Sequence, residues 1–330
     1  MPANLTPDYM AAERRLREAK TDAERLEALQ EMLRTIPKHK GTDKMQADLK
    51  RRISKLKEKI EQQSHGKKKG PSYKIHREGA GAVALAGPPN VGKSSLFQSL
   101  TGVEARIGEY PFTTLEPHPG MMPFENIKIE LVDLPPLSME HTEPWVFDLI
   151  KSCDAFLAVV DLAEGDPLAE LKTVLDLAGQ HHLKPRWEGA LVEPETGPDV
   201  VRPALVVANK ADAPEAKETL DLFREMLEEP LPLAEVSAAT GAGIEPLRRR
   251  IYDLLGIMRI YSKVPGHPAD LNSPFTIHRG ATLIEFAQSV HQDFMENLKF
   301  GKVWGSSKFD GMIAKRDYVL QDGDVVELHI

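Results

Sequence analysis

Residues 82–101 read AVALA-GPPNVGKS-SLFQSLT: an apolar run from Ala82 to Ala86, a turn from Gly87 to Ser94, then apolar residues at helical spacing. The turn fits the pattern G-x-x-x-x-G-K-[ST] and lies where that pattern carries meaning, after a strand and before a helix. Such a loop curls so that backbone N–H groups of Gly87, Pro88, Pro89, Asn90, Val91, Gly92, Lys93, Ser94 and Ser95, prolines excepted, converge on phosphate oxygens, and the helix start adds its positive end. The spacing places the Lys93 ammonium on the β- and γ-phosphates and makes the Ser94 hydroxyl a ligand of Mg2+.

Further β-branched and apolar runs lie downstream: IKIELVD ending at Asp133, AFLAVVD, ALVVANK and LAEVSA, separated by stretches long enough for crossovers. This alternation predicts an α/β fold, a doubly wound and mostly parallel sheet whose strand ends face one ligand crevice. The proline- and glycine-containing segment 182–202 reads as a long surface loop. Asp133, at a strand end, is placed to hold Mg2+ through water. Asn209, Lys210 and Asp212 form NKAD at another strand end. A carboxylate there accepts from both N1–H and the 2-amino group of guanine, a donor pair that adenine lacks. Asn209 either bonds N7 or tethers the phosphate loop, the Lys210 stem covers the base face, and Ser237–Ala238 presents a backbone N–H to guanine O6.

The amino-terminal stretch is of another kind. Ala12, Leu16, Ala19, Ala23, Leu26 and Leu33 make one apolar helical stripe, and Thr21 with Glu24 matches a capping box that would start a second helix inside it. Met45, Leu49, Ile53, Leu56 and Ile60 make another stripe, which predicts a helical hairpin. From Lys38 to Arg77 there are fourteen Lys/Arg against four acids, a balance of +10 in a chain of net charge −8, so the rest carries −18. A basic arm on an acidic body points to an anionic partner, nucleic acid above all. GKKKGPS, from Gly66, reads as a linker. No stretch approaches the roughly 18 apolar residues of a membrane span. The start of the chain shows no export signal, and the single cysteine, Cys153, excludes both an internal disulfide and a cysteine-held zinc. The expected location is therefore the cytoplasm, and metal ligands would be oxygen or imidazole.

Taken together, GPPNVGKSSLFQSLTG, YPFTT (Tyr110–Thr114), DLPP, NKAD and SAATG resemble the Ras-like P-loop GTPases, specifically the developmentally regulated GTP-binding (DRG) branch of the Obg–HflX group. RTIPKHKGTDKMQADLKRRISKLKEKI is similar to the helical lead-in of that branch, and the segment from IHRGATL to the end resembles a TGS domain, a ubiquitin-like β-grasp module. The resemblance implies a helical basic arm over 1–70, a Ras-like GTPase domain over 71–258 and a TGS domain over 259–330. It also implies GTP hydrolysis to GDP coupled to ribosome or RNA binding through the arm and the TGS domain. It makes Thr114, ahead of Thr113, the threonine that joins Ser94 and Asp133 around Mg2+, and Asn90 the residue that would hold K+ between the phosphates. Lys93, Thr114 and Asn90 are thus the expected catalytic groups.

Two positions depart from the pattern. The place of the water-orienting glutamine holds Leu137, and D-x-x-G reads Asp133-Leu134-Pro135-Pro136, where Pro136 has no N–H for the γ-phosphate. Slow intrinsic turnover is expected. The alternative is a nucleotide-gated RNA- or ribosome-binding protein with negligible hydrolysis.

Overall fold

The computed structural model describes residues 7–18, 22–36, 45–46, 49–55, 79–103, 116–140, 142–187, 197–307 and 309–330. It divides into two compact units, Met1–Ser72 and Tyr73–Ile330.

In the first unit, helix Pro7–Glu18 opens on a proline, which needs no hydrogen-bond partner for its nitrogen at a helix start. It packs against helix Asp22–Thr35. Ala12, Leu29, Met32 and Ile36 close a small core with Leu49 and Ile53 of the helical segment 49–55. Of the expected stripe, Ala12 is buried in this core and Leu16 and Leu33 pack against it, while the side chains of Ala19, Ala23 and Leu26 lie outside the described residues. On the second helix Ala28, Leu29 and Met32 are buried and Leu33 is half-buried. Lys50, Arg51, Arg52 and Lys55 are exposed while Leu49 and Ile53 between them are buried, which gives this segment a cationic outer face. Leu56, Ile60 and the linker from Gly66 lie outside the described residues.

The second unit begins with a sheet of seven strands: β1 (Ala82–Ala86), β2 (His118–Phe124), β3 (Ile127–Asp133), β4 (Ala155–Asp161), β5 (Leu183–Trp187), β6 (Val200–Asn209) and β7 (Leu233–Glu235). The order is β2-β3-β1-β4-β6-β5, with β7 also paired to β6, and every pairing is parallel except β2 with β3. Residues alternate between two cores. Ala82, Ala84 and Ala86 face helices Pro144–Ser152, Pro167–Gln180 and Ala216–Met226, and Val83 and Leu85 face helices Lys93–Thr101 and Ile244–Leu255. The loop expected over 182–202 is corrected in part: Leu183–Trp187 is a strand, paired in parallel with the start of β6. Residues 188–196 lie outside the described residues.

A second sheet, ordered β11-β10-β12-β8-β9, consists of β8 (Ile257–Ser262), β9 (Phe275–His278), β10 (Phe300–Trp304), β11 (Met312–Ala314) and β12 (Val325–His329). Phe286 and Leu283 of helix Leu283–Val290 pack into its core with Ile260, Val303 and Val326. The sheets meet at a polar joint. Arg259 on β8, 8% exposed, donates to Asp322 Oδ2 at 2.7 Å and is ion-paired with Glu125 of the β2–β3 turn. Tyr252, from helix Ile244–Leu255, donates to Asp322 Oδ1 at 2.7 Å and stacks on Phe124 at 4.9 Å. Asn126 donates to the Tyr261 hydroxyl at 2.7 Å.

Candidate functional site

The loop Gly87–Ser94 joins β1 to helix Lys93–Thr101 at the carboxyl edge of the first sheet. Its glycines are there for space. A Cβ on Gly87 would lie 2.5 Å from the Val159 carbonyl, and one on Gly92, whose φ is +83°, would lie 2.4 Å from Asn209 Nδ2. Asn90, exposed at the loop crest, also takes a left-handed backbone, φ +66°, which asparagine tolerates better than most residues.

Lys93 folds back inside this loop, donating to the carbonyls of Gly87 at 2.9 Å and Pro88 at 2.8 Å. Burial lowers its pKa to about 8 against the pull of the Asp133 and Glu170 carboxylates. Asp133 ends β3 and is 2% exposed; burial raises its pKa, opposed by the hydrogen bond from Ser94 Oγ at 2.6 Å. Its other oxygen, Oδ1, is buried and has no hydrogen-bond partner among the described residues. A hydroxyl and a carboxylate with a spare buried oxygen make a hard, all-oxygen donor set, which fits Mg2+. Thr114 and Thr113 lie outside the described residues.

The base-side residues meet on the next strands. Asn209 ends β6. Its Nδ2 donates to the Val91 carbonyl at 3.0 Å and its Oδ1 accepts from the Ala238 N–H at 3.1 Å, so this side chain ties the phosphate loop to the turn after β7. Between the two roles left open for Asn209, the structure has the tether. It also differs from expectation at Ala238, whose N–H is engaged by Asn209 and does not stand open. Asp212 is exposed and accepts from Ser237 Oγ at 2.5 Å, while the Thr240 N–H donates to that same hydroxyl at 3.1 Å. Ser237 therefore aims Asp212. Lys210, with φ +63°, donates to Asp161 Oδ2 at 2.6 Å.

Gly87 to Ser95, Asp133, Asn209, Lys210, Asp212, Ser237 and Ala238 thus stand along one edge of one sheet. The reading from sequence missed Asp161 and Glu170. Asp161 ends β4 in AFLAVVD as Asp133 ends β3 in IKIELVD, and that parallel was a usable signal. Leu137 is wholly buried against the core, and its N–H donates to the Gly87 carbonyl at 3.0 Å, so neither its side chain nor its amide faces the crevice.

Glu170 accepts from the Asp161 N–H at 2.7 Å, and burial lifts its pKa to about 7. The folded chain therefore keeps a proton that the unfolded chain releases near 4.5, and stability falls as pH rises from about 4.5 to about 7. Glu170→Gln is expected to flatten the thermal midpoint across that window. An unchanged slope would contradict the assignment.

A loop of the pattern G-x-x-x-x-G-K-[ST], a buried carboxylate with a spare oxygen and an N-K-x-D turn stand on one sheet edge, the arrangement found in P-loop GTPases. The family model described as 50S ribosome-binding GTPase matches residues 82–190, and the TGS domain model matches residues 258–330. The chain thus carries a GTPase-family domain over residues 82–190 and a TGS domain over residues 258–330, and its relatives include proteins named developmentally regulated GTP-binding proteins. An uncharacterized GTP-binding protein of Methanocaldococcus jannaschii is 28% identical, the match spanning 99% of this chain and 95% of that protein. Developmentally-regulated G-protein 1 of Arabidopsis thaliana is 26% identical over 92% of this chain and 90% of its own length. Ribosome-interacting GTPase 1 of Saccharomyces cerevisiae is 23% identical over 93% and 99%. Among solved structures, the YchF GTPase of Schizosaccharomyces pombe covers 77% of this chain and 99% of its own, with TM-score 0.51 and 14% identity, a likeness of fold alone. Among the described residues no helix is long and apolar enough to cross a membrane.

Proposed function

We propose that the chain binds GTP and hydrolyses it to GDP as a molecular switch acting on the ribosome or on structured RNA. The observation that carries the reading is the Ser94–Asp133 contact with its spare buried oxygen, one strand from the loop that Asn209 fastens to the base-side turn. In this reading Gly87 to Ser95 hold the phosphates and Ser94, Asp133 and Thr114 hold Mg2+. Bound there, Mg2+ would supply charge neutralisation for the β- and γ-phosphate oxygens. Asp212, aimed by Ser237, takes guanine N1–H and the 2-amino group. On binding, the Lys93 ammonium exchanges the carbonyls of Gly87 and Pro88 for phosphate oxygens.

The basic face at residues 50–55 supports an RNA or ribosome partner, as does the mix of rings and cations in the TGS sheet. There the Lys263 ammonium sits 4.3 Å above the Trp304 ring, and Phe300 stacks on His329 at 4.5 Å. The likeness to Ribosome-interacting GTPase 1 of Saccharomyces cerevisiae supports the ribosome.

A specific observation favours a second reading, a nucleotide-gated binder with negligible hydrolysis of its own. With Leu137 buried and Pro136 lacking an N–H, neither of these two positions offers a group to orient water. The test is single-turnover GTP cleavage with Mg2+ in potassium and in sodium salts at equal ionic strength. Cleavage that is slow, faster in potassium, and brought to the sodium rate by Asn90→Ala with GTP still bound is the expected result. Tight binding with no cleavage in either salt would leave the second reading.

A further inference from the structure

We infer that Asp161 is a positioning residue for the purine: it anchors the Lys210 ammonium so that the methylene stem of Lys210 stands ready as one wall of the base pocket. The inference rests on the guanine-binding reading above and assigns a side chain that the nucleotide motifs do not include.

The geometry starts from strand register. β4 and β6 run parallel with Asp161 opposite Asn209, so the Asp161 carboxylate emerges at the crevice edge beside the residue that precedes Lys210. The Leu162 N–H donates to the Asn209 carbonyl at 3.0 Å, which locks the two strand ends together. Asp161 is 4% exposed and both of its oxygens are committed. Oδ2 accepts from Lys210 Nζ at 2.6 Å, and Oδ1 accepts from the Ala163 N–H at 2.8 Å, so the carboxylate cannot swing away. Its own N–H is held by Glu170 at 2.7 Å. The turn that follows is tight enough that a Cβ on Gly165 would lie 2.3 Å from Glu170 Oε1 and 3.0 Å from Asp161 Cβ.

Lys210 is the flexible partner. Its backbone is left-handed at φ +63°, an uncommon state for a long side chain, held by a backbone bond from the Ala213 N–H to the Lys210 carbonyl at 3.0 Å. A free lysine stem samples many rotamers, and ordering it on binding opposes affinity. A side chain already fixed at both ends has lost that freedom before the base arrives, which is preorganisation. Asp161 does this without touching the nucleotide.

The test is the release rate of a fluorescent GDP, N-methylanthraniloyl-GDP, from the full chain in a double-mutant cycle. Asp161→Asn keeps an oxygen for the Ala163 N–H and removes the charge that holds Lys210. It is expected to speed release roughly 3- to 10-fold, the worth of one immobilised long side chain. In a Lys210→Ala background the same change is expected to do nothing further. An equal acceleration in both backgrounds would mean that Asp161 acts through the fold alone, and would overturn the inference. Lys210→Met probes the same link from the exposed side should Asp161→Asn fail to fold: it keeps the stem, loses the ammonium, and is expected to release as Asp161→Asn would. Release at the wild-type rate from Lys210→Met would overturn the inference while leaving the guanine reading intact. If Lys210→Ala and Asp212→Asn both release GDP at the wild-type rate, the guanine reading fails and the inference with it.

Discussion

Asp212→Asn is expected to weaken GTP and GDP binding by roughly 30- to 1000-fold, while xanthine nucleotides lose far less or gain. A hydrogen bond to a charged group contributes about 1.5–3 kcal/mol, and the guanine edge offers two donors to this carboxylate. Losing about 2–4 kcal/mol corresponds to that range at about 1.4 kcal/mol per tenfold. The sign for xanthine follows from the amide. Asparagine presents an NH2 where the carboxylate presented an oxygen, and xanthine presents a carbonyl where guanine presents its 2-amino group. The substitution is isosteric and leaves Oδ1 to accept from Ser237 Oγ, which the wild-type side chain does at 2.5 Å, so the turn has no reason to collapse. Titration with guanine, xanthine and adenine nucleotides, beside a thermal melt, reads the outcome. A uniform loss across all three would place the effect in the fold and not in base selection.

Arg259→Ala is expected to destabilise the unit Tyr73–Ile330 by about 1–2 kcal/mol: the guanidinium is buried, but Asp322 and Glu125 reach solvent, so its removal costs hydrogen bonds to charged groups and strands no buried charge. Arg259 donates through Nε and Nη2 to both oxygens of Asp322, at 3.1 Å and 2.7 Å, and is also paired with Glu125. Asp322 accepts in addition from the Arg259 N–H and the Tyr252 hydroxyl, each at 2.7 Å, and these bonds hold its pKa down to about 2 against burial. The contribution of that depressed carboxyl is present above its ordinary value near 3.8 and fades as pH falls towards 2. The gap between wild type and Arg259→Ala should therefore narrow in acid. Arg259→Lys should recover little, because one ammonium cannot serve two carboxylates in the planar, forked manner of a guanidinium. Urea unfolding at pH 7 and pH 3 checks both statements, and a loss below about 1 kcal/mol would put the pair among ordinary surface salt bridges.

Much of the first sheet was legible in the sequence because its central strands, IKIELVD, AFLAVVD and ALVVAN, are buried on both faces and so read as apolar runs. The strands that stayed hidden are the two edges. β2 carries Pro119 and Pro123 and β5 carries Pro185, residues that argue against a strand in the middle of a sheet but cost little at its rim, where one row of N–H groups needs no partner. In the first unit the helical repeat marked Ala12, Leu16 and Leu33 but passed over Leu29 and Met32, which fill the same core. The phosphate loop and NKAD could be read because the chemistry of phosphate and guanine dictates residue types at short fixed spacing. Asp161, Glu170 and the aiming of Asp212 by Ser237 depend on contacts between residues far apart in the chain, and only strand register brings those together.

The joint around Arg259 bears on where this chain can be cut. A boundary at 258/259 falls inside β8, which runs from Ile257 to Ser262. A scissor placed there would leave Tyr252 and Glu125 on one fragment and Arg259 and Asp322 on the other, each piece carrying half of a circuit of charges. The nucleotide-binding half would expose the Tyr252 ring, now buried against Phe124 and beneath the guanidinium groups of Arg249, Arg259 and Arg279. By sequence homology these are two modules joined end to end, but as a folding unit they are one body, and a fragment purified without its neighbour is a different molecule at that surface.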